Sequence, residues 1–268
     1  MPFSPLAPGR RLLLAGLLAA PFAPERAAAR APLATPPLAA TPLSRMDLGW
    51  WRERHLAKLE ELRRVRPALI FLGDSITQSW EYDGPEPWRR FVPVWRRFYG
   101  DRDAVNLGFS GDTTANLLWR AGNGEVDGIA PKVAVVLIGA NNLGKLHWSA
   151  ADTLLGMDAI LGVLRQRLPA MRVLLLGILP SGRSAWTAET GWTVNRALEA
   201  KYARDPVVSF LDVGHVFLRD GRVDTGLYYD TQMKPPRPAL HPSPEAQAMM
   251  AQAMEPVLAR LLGDTPRR

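Results

Sequence analysis

Cysteine is absent from this sequence of 268 residues, and histidine occurs only four times. Without cysteine the chain can form no disulfide framework, carry no thiol nucleophile and offer no thiolate to a zinc ion. The four histidines, at positions 55, 147, 215 and 241, are far apart in the chain, so no local metal-binding motif is present. We therefore expect no metal site, and serine becomes the natural candidate for a nucleophile.

The sequence also lacks a hydrophobic run long enough to cross a membrane, which needs about 20 residues. The run at 12–20 is shorter, follows Arg10 and Arg11, and is succeeded by the alanines at 27–29. A basic start, a short apolar segment and a small-residue end are typical of a secretory signal peptide. We expect residues 1–29 to be such a signal, the mature protein to be periplasmic or secreted, and no membrane span to remain after cleavage.

Acidic residues are outnumbered: 26 Asp and Glu stand against 33 Lys and Arg, which gives a net charge of +7. Loss of residues 1–29 would remove three arginines and one glutamate and lower the net charge to +5. So small an excess does not indicate a polyanionic partner. Residues 30–44 are rich in Pro, Ala and Thr and are expected to form a semi-rigid linker, which leaves 45–265 as one domain.

Aromatic residues alternate with arginines over residues 88–99, as they do on some nucleic-acid-binding surfaces. The spacing of Trp88, Phe91, Trp95 and Phe98 also fits one buried face of a helix, with the arginines on the solvent side. Because no recognised nucleic-acid-binding motif accompanies the stretch, we expect a buried helix face and no nucleic-acid partner.

Short apolar runs alternate with amphipathic segments along the rest of the chain. Uniformly apolar strands separated by helices are typical of a parallel sheet that is covered on both faces. The pattern predicts an α/β fold, a three-layer α/β/α sandwich with a mainly parallel, five-stranded sheet. The predicted strands are 68–72, 104–107, 133–138, 173–176 and 207–211, and the main helices are 88–98, 112–121, 150–168, 187–203 and 244–262.

The residues that follow these strands form a chemically consistent set. Residues 73–77 contain Ser75, residues 108–113 are rich in glycine, residues 139–142 contain two asparagines, and His241 precedes the last helix. A serine at a strand-to-helix turn exposes its hydroxyl, a histidine can take its proton, and glycine and asparagine amides can bind an oxyanion. Each motif alone is compatible with an ordinary turn. Their occurrence after successive strands, whose carboxyl ends meet at one edge, indicates an acyl-transfer site.

Four stretches carry a resemblance to a known family: FLGDSITQSW, NLGFSGDTTANLLWR, NGEVDGIAPKVAVVLIGANN and LLLGILPSG. Over residues 68–260 the chain resembles the SGNH (GDSL) hydrolases, and within them the platelet-activating factor acetylhydrolase catalytic subunits and their bacterial relatives. The resemblance implies a flavodoxin-like sheet and a serine esterase that acts without a cofactor on small acyl esters, acetyl esters among them. Its substrate would be a small-molecule, lipid or carbohydrate ester.

The same resemblance assigns roles to individual residues. Ser75 would be the nucleophile, and its backbone N–H, that of Gly111 and the side-chain amide of Asn141 would form the oxyanion hole. His241 would act as general base and then as general acid. Asp74, next to the nucleophile, is interpreted as a residue that fixes the loop through hydrogen bonds.

One position departs from the family pattern, because Pro238 stands three residues before His241, where an acid is expected. Three interpretations remain open. Asp230 can fold back as the orienting acid, Ser75 and His241 can work as a dyad with a backbone carbonyl on the ring, or the activity can be impaired. A non-catalytic ligand- or glycan-binding module and an acyltransferase using the same site are the alternative functions. The sequence does not indicate an oligomeric state.

Overall fold

The computed structural model describes Met1, residues 36–85 and residues 90–267. The predicted signal peptide after Met1, the first part of the predicted linker and Trp88 lie outside the described residues. The chain divides into two units, Met1–Thr35 and Pro36–Arg268, and the second contains everything described below. Within the described residues, no helix combines the length and the apolarity that crossing a bilayer requires.

Five parallel strands form the central sheet, with the first strand in the chain second from one edge. The strands are β1 (Leu69–Gly73), β2 (Ala104–Gly108), β3 (Val133–Leu137), β4 (Arg172–Leu176) and β5 (Val208–Leu211), in the order β2-β1-β3-β4-β5. Every residue of β1 and β3 is buried, which is why these strands are apolar throughout. The order and direction of the strands confirm the predicted flavodoxin-like sheet.

Helices cover both faces of the sheet. One face carries α1 (Gly49–Val65), α4 (Thr114–Gly122), α6 (Ala150–Arg167) and α7 (Ala185–Tyr202). The other face carries α3 (Phe91–Tyr99) and α8 (Pro244–Leu262). Two short helices, α2 (Ser75–Gln78) and α5 (Ala140–Gly144), follow β1 and β3. Successive side chains of a strand point to opposite faces. Accordingly Ile70 and Leu72 belong to the first core cluster, whereas Leu69 and Phe71 belong to the second. The predicted three-layer sandwich is therefore confirmed.

Helix α3 contains the described part of the stretch in which aromatics alternate with arginines. Phe91, Phe98 and Tyr99 are buried, whereas Arg96 and Arg97 are exposed. The aromatic residues of this helix thus face the core, as their spacing predicts.

The compact unit begins at Pro36, so residues 36–44, which the sequence analysis assigned to the linker, lie within it. Residues Leu38–Ala40 form a short 3₁₀ helix, and Ala39 is buried. The hydroxyl of Thr114 on α4 donates a hydrogen bond to the Ala39 carbonyl at 2.8 Å. Small side chains allow this segment to lie close to α4 and α6, a tertiary contact that composition does not reveal.

A two-stranded hairpin, β6 (Leu218–Arg219) with β7 (Arg222–Val223), follows β5 and was not predicted.

Gly156 on α6 allows that close approach, and we expect Gly156→Ala to destabilise the fold. A Cβ atom at this position would collide with the Ala39 carbonyl and with the Thr114 hydroxyl. Overpacking of this kind costs about 1 to 3 kcal/mol of unfolding free energy, which urea denaturation measures. Gly162→Ala is the matched control in the same helix, because its Cβ would meet no atom within 4 Å and should stabilise by about 0.5 to 1 kcal/mol. Equal effects of the two substitutions would contradict this packing.

Candidate active site

Ser75 lies where β1 turns into α2, at the carboxyl edge of the sheet. Asp74 is the N-cap of α2, and its carboxylate accepts a hydrogen bond from the Ile76 amide at 2.9 Å. Ser75 is the first residue of the helix, so its own N–H has no acceptor within the helix. The turn therefore presents two groups of one residue, the hydroxyl and the backbone N–H, at the same edge.

A line of hydrogen bonds runs from Ser75 through His241 to Asp230. The Oγ of Ser75 lies 2.9 Å from Nε2 of His241. On the other side of the ring, Nδ1 lies 2.8 Å from Oδ1 of Asp230. The structure thus brings together the serine, the histidine and the aspartate that the sequence analysis singled out.

Backbone pairing carries Asp230 to the histidine. The Tyr229 amide donates to the His241 carbonyl at 3.1 Å, and an antiparallel bridge joins Tyr228 to Pro242. The residues between Asp230 and the histidine form a loop, on which Pro238 is exposed. The group bonded to Nδ1 is therefore a carboxylate, whereas the dyad interpretation required a backbone carbonyl in that place.

Asp230 is held in its ionised form. Burial opposes ionisation, but hydrogen bonds from the side chain and the backbone N–H of His241 and from the Leu240 amide outweigh it and keep the pKa of this carboxyl below its usual range. The ring of Tyr229 stacks on that of His241 with centroids 5.2 Å apart and planes 12° apart. The imidazole is thus fixed by a hydrogen bond in its plane and by an aromatic ring on its face.

Two amide groups at the edge of the sheet are candidates for binding an oxyanion. Nδ2 of Asn141, on α5, donates one hydrogen to the Asp112 carbonyl at 3.0 Å, which leaves its second hydrogen available. Within the ranges 36–85 and 90–267, no protein acceptor takes a hydrogen bond from the half-buried amide of Gly111. Gly111 and Asn141 are thus coupled through Asp112, the residue after the glycine.

Asp112 and Arg120 form a buried ion pair beneath these loops. No role was predicted for either residue from the sequence. The carboxylate of Asp112 accepts hydrogen bonds from Arg120 at 2.8 Å and from the Trp51 indole at 2.8 Å. Arg120 also donates to the carbonyls of Gly73 and Leu107, each at 3.1 Å. One side chain therefore binds the ends of β1 and β2. Both charged residues lie in the stretch NLGFSGDTTANLLWR, but only their burial reveals what they do.

Asp74 is a carboxyl of a different character from Asp230. Its burial raises its pKa to about 6, although the Ile76 amide and the nearby His241 favour the ionised form. Asp74 is predicted to fix the loop through hydrogen bonds, and the bond that its carboxylate accepts from the Ile76 amide is of this kind. Its proximity to His241 means that its protonation also changes the field at the histidine.

A cavity of about 490 Å³ adjoins the site at the carboxyl ends of β4 and β5. Its wall includes Ala140 and Leu240, the residues that precede Asn141 and His241. Most of the remaining wall is apolar, and it includes the largely exposed indole of Trp192. A ligand that reaches the serine therefore has an apolar space beside the histidine.

A serine, a histidine and an aspartate joined in this order, beside amide groups with a hydrogen available for a ligand, form the arrangement of the serine hydrolases. The chain belongs to the GDSL-like lipase/acylhydrolase family, whose model matches residues 71–249. It is therefore an ester hydrolase, which confirms the predicted enzyme class and the resemblance drawn from the motifs.

Individual relatives agree with this membership. The human platelet-activating factor acetylhydrolase IB subunit alpha1 is 31% identical over 216 residues, which are 80% of this chain and 85% of the relative. A GDSL-like lipase from Bacteroides thetaiotaomicron has a TM-score of 0.59 at 16% identity, over 78% of this chain and 97% of that one. A carbohydrate acetylesterase family member from Sinorhizobium meliloti has a TM-score of 0.54 at 18% identity, over 73% and 98%. At these identities the two structures show the fold alone.

Asp74→Asn is expected to stabilise the protein at pH 7.5 but not at pH 4. The substitution keeps an oxygen for the Ile76 amide and removes the ionisation. Because the folded pKa of about 6 lies above the 3.8 of an unperturbed aspartate, the wild type loses stability as the pH rises through this interval. The variant has no ionisable group at this position, so its free energy of unfolding at pH 7.5 should exceed that of the wild type by about 3 kcal/mol at most. Urea denaturation at both pH values measures it, and an equal difference at both would contradict the assignment.

Proposed function

We propose that the chain hydrolyses small acyl esters through an acyl-enzyme formed on Ser75. The observation that carries the proposal is the continuous line of hydrogen bonds from Ser75 Oγ through both nitrogens of His241 to Asp230. Such a line allows a proton to leave the hydroxyl as the oxygen attacks, while the carboxylate stabilises the imidazolium that forms.

In the first half-reaction, Ser75 Oγ bonds to the ester carbonyl carbon and its proton passes to Nε2 of His241. The carbonyl oxygen becomes an oxyanion, which the N–H groups of Ser75 and Gly111 and the Asn141 amide would bind. When the intermediate collapses, the bond to the alcohol oxygen breaks, and the proton on Nε2 passes to that oxygen. The acyl group remains on Ser75 as an ester.

In the second half-reaction, water replaces the alcohol. His241 takes a proton from the water as the water oxygen bonds to the acyl carbon, and the same donors would bind the second oxyanion. Collapse breaks the bond to Ser75 Oγ, which receives the proton back from Nε2. The products are a carboxylic acid and the original serine, and no group from outside the chain is required.

The names of two similar proteins point to acetyl esters. The human relative is named an acetylhydrolase, and the Sinorhizobium meliloti protein is described as a carbohydrate acetylesterase family member. The apolar cavity beside Leu240 gives room for the alcohol part of an ester, since His241 must reach the leaving oxygen. We accordingly propose a small acyl group on a larger alcohol, of the lipid or carbohydrate kind.

Pro238, which is exposed on the segment between Asp230 and His241, does not count against this chemistry. The carboxylate that the family pattern leads one to expect at that position is supplied by Asp230, at 2.8 Å from the ring. This contact supports activity over a binding module that retains the fold without the chemistry.

Ser75→Ala should lower kcat for p-nitrophenyl acetate by about 10³-fold or more, since the remaining groups act only through the serine. Esters of increasing acyl length, assayed by p-nitrophenol release, measure the depth of the acyl site in the same experiment. A fluorophosphonate, whose phosphorus bonds to the serine oxygen as fluoride leaves, should label the wild type at Ser75 and spare the variant. Residual hydrolysis close to the wild-type rate would refute the assignment, and an added alcohol that suppresses hydrolysis would indicate acyl transfer instead.

Asp230→Asn should lower kcat by about 10²- to 10⁴-fold, because an amide neither holds the reactive tautomer nor stabilises the imidazolium. Asp224→Asn is the matched control on the same stretch of chain. Asp224 accepts from the Gly226 amide and pairs with Arg219, and in the part of the chain that the structure describes it makes no hydrogen bond to His241, so kcat should stay within about twofold. If Asp230→Asn left kcat unchanged, Asp230 would be excluded from the mechanism and a dyad would remain.

A further inference from the structure

Arg183 is a half-buried cation beside the site, and the mechanism does not use it. Its Nη1 donates a hydrogen bond to the Ala140 carbonyl at 3.2 Å. Across residues 36–85 and 90–267, no carboxylate lies within ion-pair distance of its guanidinium. A guanidinium carries five N–H donors, so most of this one's donors are left for another acceptor.

The position of this guanidinium is built into the fold. Gly144 lies beneath the side chain, and a Cβ at Gly144 would come within 2.7 Å of Arg183 Cδ. The backbone on the other side is fixed as well, because the Gly182 amide and the Ser181 hydroxyl both donate to the Ala239 carbonyl, at 2.8 and 3.1 Å. Arg183 is therefore held between α5, which carries the candidate oxyanion donor, and the segment that leads to the histidine.

The charge of the Arg183 side chain is only partly compensated by the carboxylates around it. Burial lowers the pKa of Arg183, and the charges of Asp74 and Asp230 only partly compensate. A guanidinium remains protonated under such a perturbation, so the protein holds a partly desolvated cation without a direct counter-ion. Such a charge is costly unless an anion pairs with it.

A second cation, Lys145, directly follows α5. Lys145 is exposed, and its Nζ would lie 3.7 Å from a Cβ at Gly111. Arg45 approaches the same glycine but is already paired with Asp112 at 2.9 Å. Within residues 36–85 and 90–267 neither Arg183 nor Lys145 forms an ion pair, and both lie beside the helix that carries Asn141.

We propose that Arg183 recognises an anionic group, a carboxylate or a phosphate, on the alcohol part of the ester. The alcohol part is indicated because the leaving oxygen must lie beside His241, and the Arg183 guanidinium donates to the carbonyl of Ala140, a residue that lines the adjoining cavity together with Leu240. Lys145, on the side of Gly111, adds to the positive field that attracts such a substrate. This inference rests on the proposed esterase function of Ser75.

Matched acetyl esters test the inference. 4-Acetoxybenzoate and 4-acetoxyphenyl phosphate carry an anion on the alcohol part, and 4-acetoxybenzamide is their neutral counterpart. The quantity of interest is the ratio of kcat/KM for an anionic ester to kcat/KM for the neutral one, which cancels general effects on catalysis. Arg183→Gln should lower this ratio by about 10- to 100-fold, the worth of a charge-assisted hydrogen bond. Comparing the carboxylate with the phosphate identifies the anion that the site prefers.

Two further variants serve as controls. Arg183→Lys keeps the charge and should restore part of the ratio, whereas Arg63→Gln removes an arginine whose side chain is 73% exposed on α1 and should leave the ratio at the wild-type value. A ratio in Arg183→Gln within twofold of wild type for both anions would overturn the inference while leaving the esterase intact. Failure of the wild type to hydrolyse any of the three esters faster than Ser75→Ala would instead overturn the proposed function.

Discussion

The buried ion pair between Arg120 and Asp112 is the interaction on which the geometry of the site depends. Arg120 binds the carbonyls that end β1 and β2 as well as the Asp112 carboxylate, and the Asp112 carbonyl in turn receives the Asn141 amide. Three loops that carry separate pieces of the site are thus joined through two residues. The pair is part of a larger buried network, because Arg120 also pairs with Glu125 and Asp112 also pairs with Arg45, and such networks hold their members in one arrangement. The loops are therefore fixed relative to one another before any substrate arrives, which is what an oxyanion hole requires.

The parts of the site that sequence reasoning located are those governed by local rules. Ser75, Gly111 and Asn141 each follow an apolar strand, and His241 precedes a helix with a clear N-terminal cap, so a parallel sheet brings them to one edge. The strand pattern thus places the segments that carry these groups at the sheet edge, and the resemblance to the SGNH hydrolases singles out the individual residues within them. The same rules predicted five strands, because fully buried strands are apolar throughout.

The parts that sequence reasoning left open or missed depend on contacts between distant segments. Asp230 was one of three possibilities, since the pairing of Tyr228 with Pro242 that delivers it has no periodic signature. Arg120 lies on a helix, where a charged residue ordinarily faces solvent, and only its burial against Asp112 distinguishes it. The segment at 36–44 has the composition of a linker, but its docking depends on a glycine more than a hundred residues away. In each case the deciding information is tertiary, and one sequence contains it only implicitly.

Two carboxylates lie near His241, and the number of hydrogen bonds that each accepts separates their behaviour. Asp230 accepts from Nδ1 and the backbone N–H of the histidine and from the Leu240 amide, so burial fails to keep it protonated. Among the described residues, the Asp74 carboxylate accepts a hydrogen bond only from the Ile76 amide, and burial raises the pKa of Asp74 to about 6. The carboxylate that stays ionised, Asp230, therefore lies beside Nδ1 of His241, where it stabilises an imidazolium. Asp74, next to the nucleophile, becomes ionised only as the pH approaches neutrality. The charges of both carboxylates act on Arg183, but neither forms an ion pair with it. Over the described ranges of the chain, this guanidinium therefore has no directly paired anion. The depth of burial and the number of hydrogen bonds accepted together set the charge of each carboxyl.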